Sequence, residues 1–308
     1  MKILFVLGNG FDIDLGWQTQ FSEFAKSKHW PKRMEPYSRL QDMLNQSRAI
    51  SNWFDLERLL ADYADSRNGA TMPSYAQRDI KYFDLLSTSL ISYLLEQQEA
   101  PVRLDSTAAK VLRVLMQVAP VVKIYSFNYT DLKLIAEKLG VSTSFQYEHV
   151  HGNLQDGSAI LGIQDSIDVF DDYEFLYKTF NRNYSSHDIQ FDLLDADEVI
   201  FFGHSFGKTD YHYFQRFFQM QCRTDMQRVD SKGITIFTYD YNARISLLKQ
   251  LRIMNEKRTD LLYGLNNLNI FMTDGSEDNK IEDFLKEFGQ RLKKAYIKEN
   301  TKYTVRIK

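Results

Sequence analysis

The chain has one cysteine, Cys222, among its 308 residues. A single thiol cannot close an internal disulfide, and it rules out any cysteine-built zinc ribbon or iron–sulfur centre. Proline is also scarce, with five, and none lies beyond Pro120. No apolar run approaches the roughly 18 residues that a membrane span needs. The apolar opening ILFVLG has no basic segment before it and no small-residue cleavage site after it. These absences lead to the expectation of a cytoplasmic, soluble protein with no membrane partner. A net charge of -3 gives no overall attraction to phosphate backbones, so nucleic acid is not suggested as a partner. There is neither an internal repeat nor a low-complexity segment. The 44% hydrophobic content and 14 glycines match a folded globular chain, and 18 Tyr with 22 Phe point to a core packed with rings.

The prolines divide the chain. Between Thr19 and about Ala119 the pattern is helical: Phe54, Leu56, Leu59 and Leu60 recur at helical spacing, as do Leu85, Leu86, Leu90, Ile91 and Leu94, with Pro73 and Pro101 as breaks. On either side the texture is strand and helix in alternation. Short apolar runs at 2–7, 121–127, 145–152, 158–163, 198–203, 234–239 and 269–273 read as strands. Helical patterns are expected after 127, over 172–194, over 210–222 and over 279–298. Buried strands separated by helices predict an α/β, Rossmann-like fold, a mostly parallel sheet with helices on both faces. The expected division is a nucleotide-binding domain from 1–17 and 119–308, interrupted by a helical insertion over 18–118.

In such a sheet ligands bind beyond the carboxyl ends of the strands, so the residues leaving each strand carry the functional reading. The first exit is Gly8-Asn9-Gly10-Phe11-Asp12, with Gly16 beyond it. Its glycines would let backbone approach a phosphate or ribose, although Ile13 stands where a dinucleotide fingerprint has its third glycine. The second exit is Ser126-Phe127-Asn128-Tyr129-Thr130-Asp131. Thr130 or Asp131 would cap the next helix, and the Asn128 carboxamide could orient a ribose hydroxyl or a water. In the third, His149-Val150-His151-Gly152, strand alternation would put both histidines on one face. A two-histidine metal site is the rival there. No nearby triplet of Asp, Glu and His completes it, so general-base use of His151 is preferred and no metal is expected.

The fourth exit is Gly203-His204-Ser205-Phe206-Gly207-Lys208-Thr209-Asp210. Its Gly-Lys-Thr is not a P-loop, because Phe202 occupies the position of the required first glycine. Gly-His-Ser-Phe-Gly also fits a nucleophile elbow, but the only later histidine is His212, so a Ser205 hydrolase would need an unusual chain order. At the fifth exit Asp240 would hold a ribose diol or cap a helix.

Taken together, Gly8-Asn9-Gly10-Phe11-Asp12 with Gly16, WFDLE at 53–57, Phe127-Asn128-Tyr129-Thr130, His149-Val150-His151-Gly152 and the 203–210 segment resemble the AbiH-type phage abortive-infection proteins. The same points look like a distant version of the sirtuin-like NAD-binding fold. That resemblance implies that Gly8, Gly10 and Gly16 line a dinucleotide loop and that Asn128 meets the nicotinamide ribose or a water. It implies His151 as the base, with Gly203 and Ser205 touching phosphate or ribose. Asn9, Phe11, Tyr129, Asp131, Gly152, Asp210 and Asp240 complete the expected nucleotide-contacting set. The four-cysteine zinc module of sirtuin deacetylases is impossible here, so protein deacetylation is not expected.

The expected activity is hydrolysis of the nicotinamide N-glycosidic bond of NAD, as a phage-defence effector. Asn128, His151 and Asp12 would be the catalytic residues, NAD the substrate or ligand, and no other cofactor would be required. A non-catalytic nucleotide sensor acting through a partner is the alternative, and a serine hydrolase using Ser205 the third. A homo-oligomer contact or a phage-derived trigger could involve the helical insertion.

Overall fold

A computed structural model describes residues 1–50, 56–118, 121–225 and 229–306. The strands are β1 (Ile3–Leu7), β2 (Val122–Ser126), β3 (Gln146–His149), β4 (Glu198–Phe202), β5 (Gly233–Thr238) and β6 (Asn267–Met272). The helices are α1 (Asn9–Asp14), α2 (Phe21–Lys26), α3 (Arg39–Ile50), α4 (Leu56–Ala64), α5 (Ala76–Glu99), α6 (Thr107–Met116), α7 (Leu132–Lys138), α8 (Ile189–Asp195), α9 (Tyr211–Met220), α10 (Tyr241–Met254), α11 (Thr259–Leu265) and α12 (Asp278–Arg306).

The six strands form one sheet in the order β3-β2-β1-β4-β5-β6, and every pair in it is parallel. This is an α/β, Rossmann-like fold with helices on both faces, as the alternating apolar runs predict. Every residue of β1 is buried, and alternation sends them to two cores. Ile3, Phe5 and Leu7 pack with Leu112, Leu115, Ile135 and Leu285, from α6, α7 and α12. Leu4 and Val6 pack with Phe201, Phe214, Leu247 and Leu251, from β4, α9 and α10. Among the described residues no helix is long and apolar enough to cross a membrane.

A third core lies within the helical segment. Phe24, Leu40, Leu44, Leu60, Tyr82, Leu86 and Leu90 are buried together. Packing does not follow chain limits at 18 and 118. Helix α6 belongs to the sheet, whereas Leu154, Leu161, Tyr173 and Leu176 join the helical core. Asp79 of α5, fully buried, pins this joint. Its carboxylate accepts hydrogen bonds from Ser38 Oγ (2.8 Å), Leu40 N (3.1 Å), Tyr63 Oη and Tyr173 Oη (2.9 Å).

Three sequence expectations change. The run 158–163 forms no strand; only Ile163 makes a lone parallel bridge, to Tyr177, because its apolar side chains serve the helical core and not the sheet. The expected helix over 172–194 is instead two 3-10 turns, Asp171–Leu176 and Lys178–Phe180, with α8 starting only at Ile189. Strand β3 stops at His149, so His149 and His151 do not share a strand face. Of the helical repeats, Leu56, Leu60, Leu86, Leu90 and Leu94 are buried but Leu85 is exposed, and Phe54 lies outside the described residues.

Asp79→Ala removes the acceptor of four buried donors and is expected to cost about 3 kcal/mol or more. Urea unfolding checks this, and a loss under about 1 kcal/mol would contradict the pin.

Candidate functional site

The order of the chain reverses between β1 and β4, so their exits flank the topological switch point. There the two loops touch backbone to backbone. Gly8 N donates to Phe202 O (2.9 Å), and Gly10 N donates to Gly203 O (3.0 Å). A Cβ on Gly8 would lie 2.6 Å from His204 Cα, and one on Gly10 would lie 2.6 Å from Gly203 Cα. Gly203 itself has φ 64°, and its Cβ would lie 2.4 Å from Gly10 Cα. The close approach expected between these glycines and a ligand is thus made between the loops themselves. Phe11, expected at a nucleotide, is fully buried with its ring edge-on to Phe5 and Phe202. Asn9 is exposed and bonds Thr19, while Gly16, at φ 99°, ends α1 against the Arg103 side chain.

Beneath the first loop, Asp12 is buried and accepts bonds from Asn128 Nδ2 (3.0 Å) and Thr130 Oγ1 (2.7 Å). Asn128 Nδ2 also donates to Gly8 O (3.1 Å). The Asn128 amide hydrogens therefore clamp the β1 and β2 exits together. Burial raises the Asp12 carboxyl to about 7, against the opposing bonds from Thr130 and Asn128. Asp131 caps α7 by accepting from Lys133 N (2.8 Å), Tyr129 Oη donates to Ile160 O (3.0 Å), and Asp240 caps α10 by accepting from Ala243 N (2.8 Å).

The second constellation centres on His151, 7% exposed. Past β3, Val150 N still donates to Ser126 O (2.8 Å), after which the chain turns through Gly152 at φ 71°, packed tightly on Ser158. The turn brings His151 Nε2 to 3.3 Å from Asp210 Oδ1, with the imidazole edge-on to Phe127. The other carboxylate oxygen, Oδ2, lies 3.5 Å from His204 Nε2. His204 Nδ1 accepts from Phe206 N (3.0 Å), so in the neutral ring Nε2 holds the proton and faces Asp210 as a donor. Phe206 adopts φ 50°, unusual for a bulky residue, and is held there by Phe201, Phe214 and Phe218. Asp210 sits at the N-cap of α9 without capping it, its carboxylate turned to the two histidines.

Lys178, 4% exposed, completes the group. Its Nζ lies 3.5 Å from His151 Nε2 and 2.9 Å from Glu57 Oε1. Burial opposes the Lys178 charge, but Glu57 and Asp210 outweigh it and raise its pKa. Burial also opposes ionisation of Asp210, yet bonds from both histidines and the Lys178 charge hold its carboxyl well below the usual range. The His151 imidazole is pushed down, first by burial and then by Lys178. A neutral imidazole against an ionised carboxylate is the arrangement of a general base with its orienting acid.

The structure thus brings together His151 and Asp210, and separately Asp12 and Asn128. Glu57 stood in the WFDLE motif without a role, and its neighbours 53–55 lie outside the described residues. His204 stood in its motif in the same way. Lys178 had no signal, since it lies in a stretch that reads as an ordinary helix and reaches the group only through the fold. Ser205 is exposed, and no histidine among the described residues bonds its Oγ, which leaves the nucleophile elbow without a base. Among the described residues no group of three His, Cys, Asp or Glu side chains could hold a metal.

A family model described as "Bacteriophage abortive infection AbiH" matches residues 4–229. No curated protein matches the chain. Among solved structures, a chain from "Structural Basis for the Mechanism and Regulation of Sir2 Enzymes" is similar at 12% identity, over 84% of this chain and 92% of that one, with a TM-score of 0.31.

Two stability experiments follow from the geometry. The folded pKa of Asp12, about 7, lies above its unfolded value, so the folded state holds the extra proton between them. Its contribution is fully present at acid pH and is lost as pH rises to about 7. Roughly 2–3 kcal/mol of the fall in stability between about pH 5 and about pH 8 should be absent in Asp12→Asn, measured by urea unfolding. Gly203→Ala and Gly69→Ala share nearly the same φ, 64° and 62°, but only Gly203 faces a collision. Gly69→Ala should cost about 1 kcal/mol and Gly203→Ala at least about 2 kcal/mol more. Equal losses would show that the two loops are not in contact.

Proposed function

The chain belongs to the AbiH family of bacteriophage abortive-infection proteins, and from that premise we propose that it is a phage-defence effector that hydrolyses the N-glycosidic bond of NAD. The observation that carries the chemistry is His151, held neutral in a buried setting with Nε2 on the Asp210 carboxylate. With Nε2 donating to Asp210, Nδ1 is the nitrogen left to take a proton. A water adds to the anomeric carbon of the ribose and gives its proton to His151. The bond from that carbon to the nicotinamide nitrogen breaks, and its electron pair leaves with nicotinamide. Asp210 orients the ring and stabilises the imidazolium, and His204 steadies Asp210. Glu57, Lys178 and Asp210 together carry one net negative charge beside His151. That sign suits the oxocarbenium-like ribose that develops as the bond breaks.

In this reading Asn128 and Asp12 act as positioning residues. They fix the β1 and β2 exits, and the carboxamide Oδ1 of Asn128 is the atom left to meet a ligand. NAD is a substrate, and no further cofactor is invoked.

His151→Ala and Asp210→Asn should each lower nicotinamide release by about a hundredfold or more and abolish phage protection at normal protein levels. The assay pairs NAD content in infected cells with nicotinamide release by the purified protein, with and without an extract of infected cells as activator. Ser205→Ala should stay within a few-fold of wild type. Because the His151 pKa is lowered, the ascending limb of the pH profile should fall on the acid side of the ordinary imidazole value. Thermal stabilisation by NAD with no nicotinamide released under any condition would instead identify a nucleotide sensor.

A further inference from the structure

Strand β3 is the edge of the sheet, and a cleft of about 500 Å³ runs along it, bounded by β3, the 150–158 turn and the 183–187 loop. Two histidines line it, and each is anchored through one nitrogen only. His149 Nδ1 lies 2.9 Å from Asn128 O, which can only accept, so Nδ1 holds the proton. His187 Nδ1 lies 3.0 Å from Glu148 Oε2, and the carboxylate fixes it in the same way. In both rings Nε2 is buried and has no partner. One such group costs on the order of 1–3 kcal/mol, and two on the wall of one cleft are unusual in a folded protein. Rings locked through Nδ1 by a carbonyl or carboxylate, with Nε2 unmatched, are prepared to accept hydrogen bonds from something else.

The remaining wall narrows the chemistry. Its one acidic side chain, Glu148, pairs with Lys123 at 2.9 Å and accepts from His187 Nδ1, and Lys123 is itself shared with Asp192 at 2.7 Å. With His187 neutral, Glu148, Asp192 and Lys123 together keep one net negative charge, which disfavours an anion. Asn183 and Ser185, both exposed, offer adaptable polar contacts, and Tyr147 a partly exposed ring. The cavity is within the usual size of small-molecule sites. We infer that this cleft binds a molecule of nucleoside size, free of anionic groups, that presents two N–H or O–H donors to His149 and His187. The inference is independent of NAD cleavage, since His151 turns from this cleft toward Asp210.

Adenosine, with adenine and ribose as separate arms, tests it on the full chain by thermal shift and calorimetry. Adenosine is expected to bind saturably at millimolar concentration or below, and the separate arms assign the donors to base or sugar. Imidazole ¹⁵N spectra are expected to show acceptor-type Nε2 signals for His149 and His187 that move on addition of adenosine. Ser185→Trp fills the cleft from an exposed loop without touching a core, and should weaken binding by about tenfold or more. His151→Ala should bind as wild type does, even if it destroys NAD cleavage. Absence of saturable binding by all three probes would overturn the inference. So would binding that survives Ser185→Trp and is lost in His151→Ala, which would move the ligand to the buried pair.

Discussion

The structure depends on one contact, that of the Gly10 and Gly203 backbones where β1 and β4 leave the sheet. Two loops that would otherwise flank an open crevice meet without side chains between them. That closeness sets everything nearby. It puts Asp12 beneath the first loop, within reach of Asn128 and Thr130, and it starts the second loop in the direction that carries His204 and Asp210 toward His151. Glycine at these positions serves this packing, and a Cβ on either loop would push the two exits apart.

The buried charges cost the fold something and organise it in return. Glu57, Lys178 and Asp210 come from α4, a 3-10 turn and the start of α9, so the group ties the helical core to the carboxyl edge of the sheet. Such groups add little net stability compared with apolar packing, while loss of one member leaves another unpaired at about 3–5 kcal/mol. Their persistence in an interior so rich in phenylalanine makes sense if position, more than stability, is what they supply. Asp210 gives the same indication, standing at a helix N-terminus and leaving that helix uncapped.

Much of this was legible in the sequence. The six strands were marked because each is a short apolar run closed by a polar or glycine-rich exit, and the parallel arrangement followed from the helices between them. The run 158–163 misled because apolar character reports burial and not the partner that provides it; Ile160, Leu161 and Ile163 are buried without entering the sheet. His149 and His151 were placed on one face by parity, which fails as soon as a strand ends between two residues. The glycines read as points where backbone approaches a ligand, whereas in the structure the opposite loop approaches them, because a sequence does not say what approaches. Lys178 was invisible for a different reason, since no local pattern distinguishes a surface lysine from one whose ion pair forms more than a hundred positions away along the chain.

His151 and Lys178 are both more than nine-tenths enclosed, and that has a kinetic meaning. In the proposed reaction, a ribose reaches so enclosed an imidazole only when part of its surroundings gives way. Observed affinity is then the intrinsic affinity multiplied by the fraction of time the enclosure is open, and turnover cannot exceed the rate at which it opens. An enclosure open one part in a thousand would hide an intrinsically micromolar site behind an apparently millimolar one. In the proposed reaction, anything that loosened those surroundings would raise apparent affinity and rate together, with no change in the residues assigned to the chemistry.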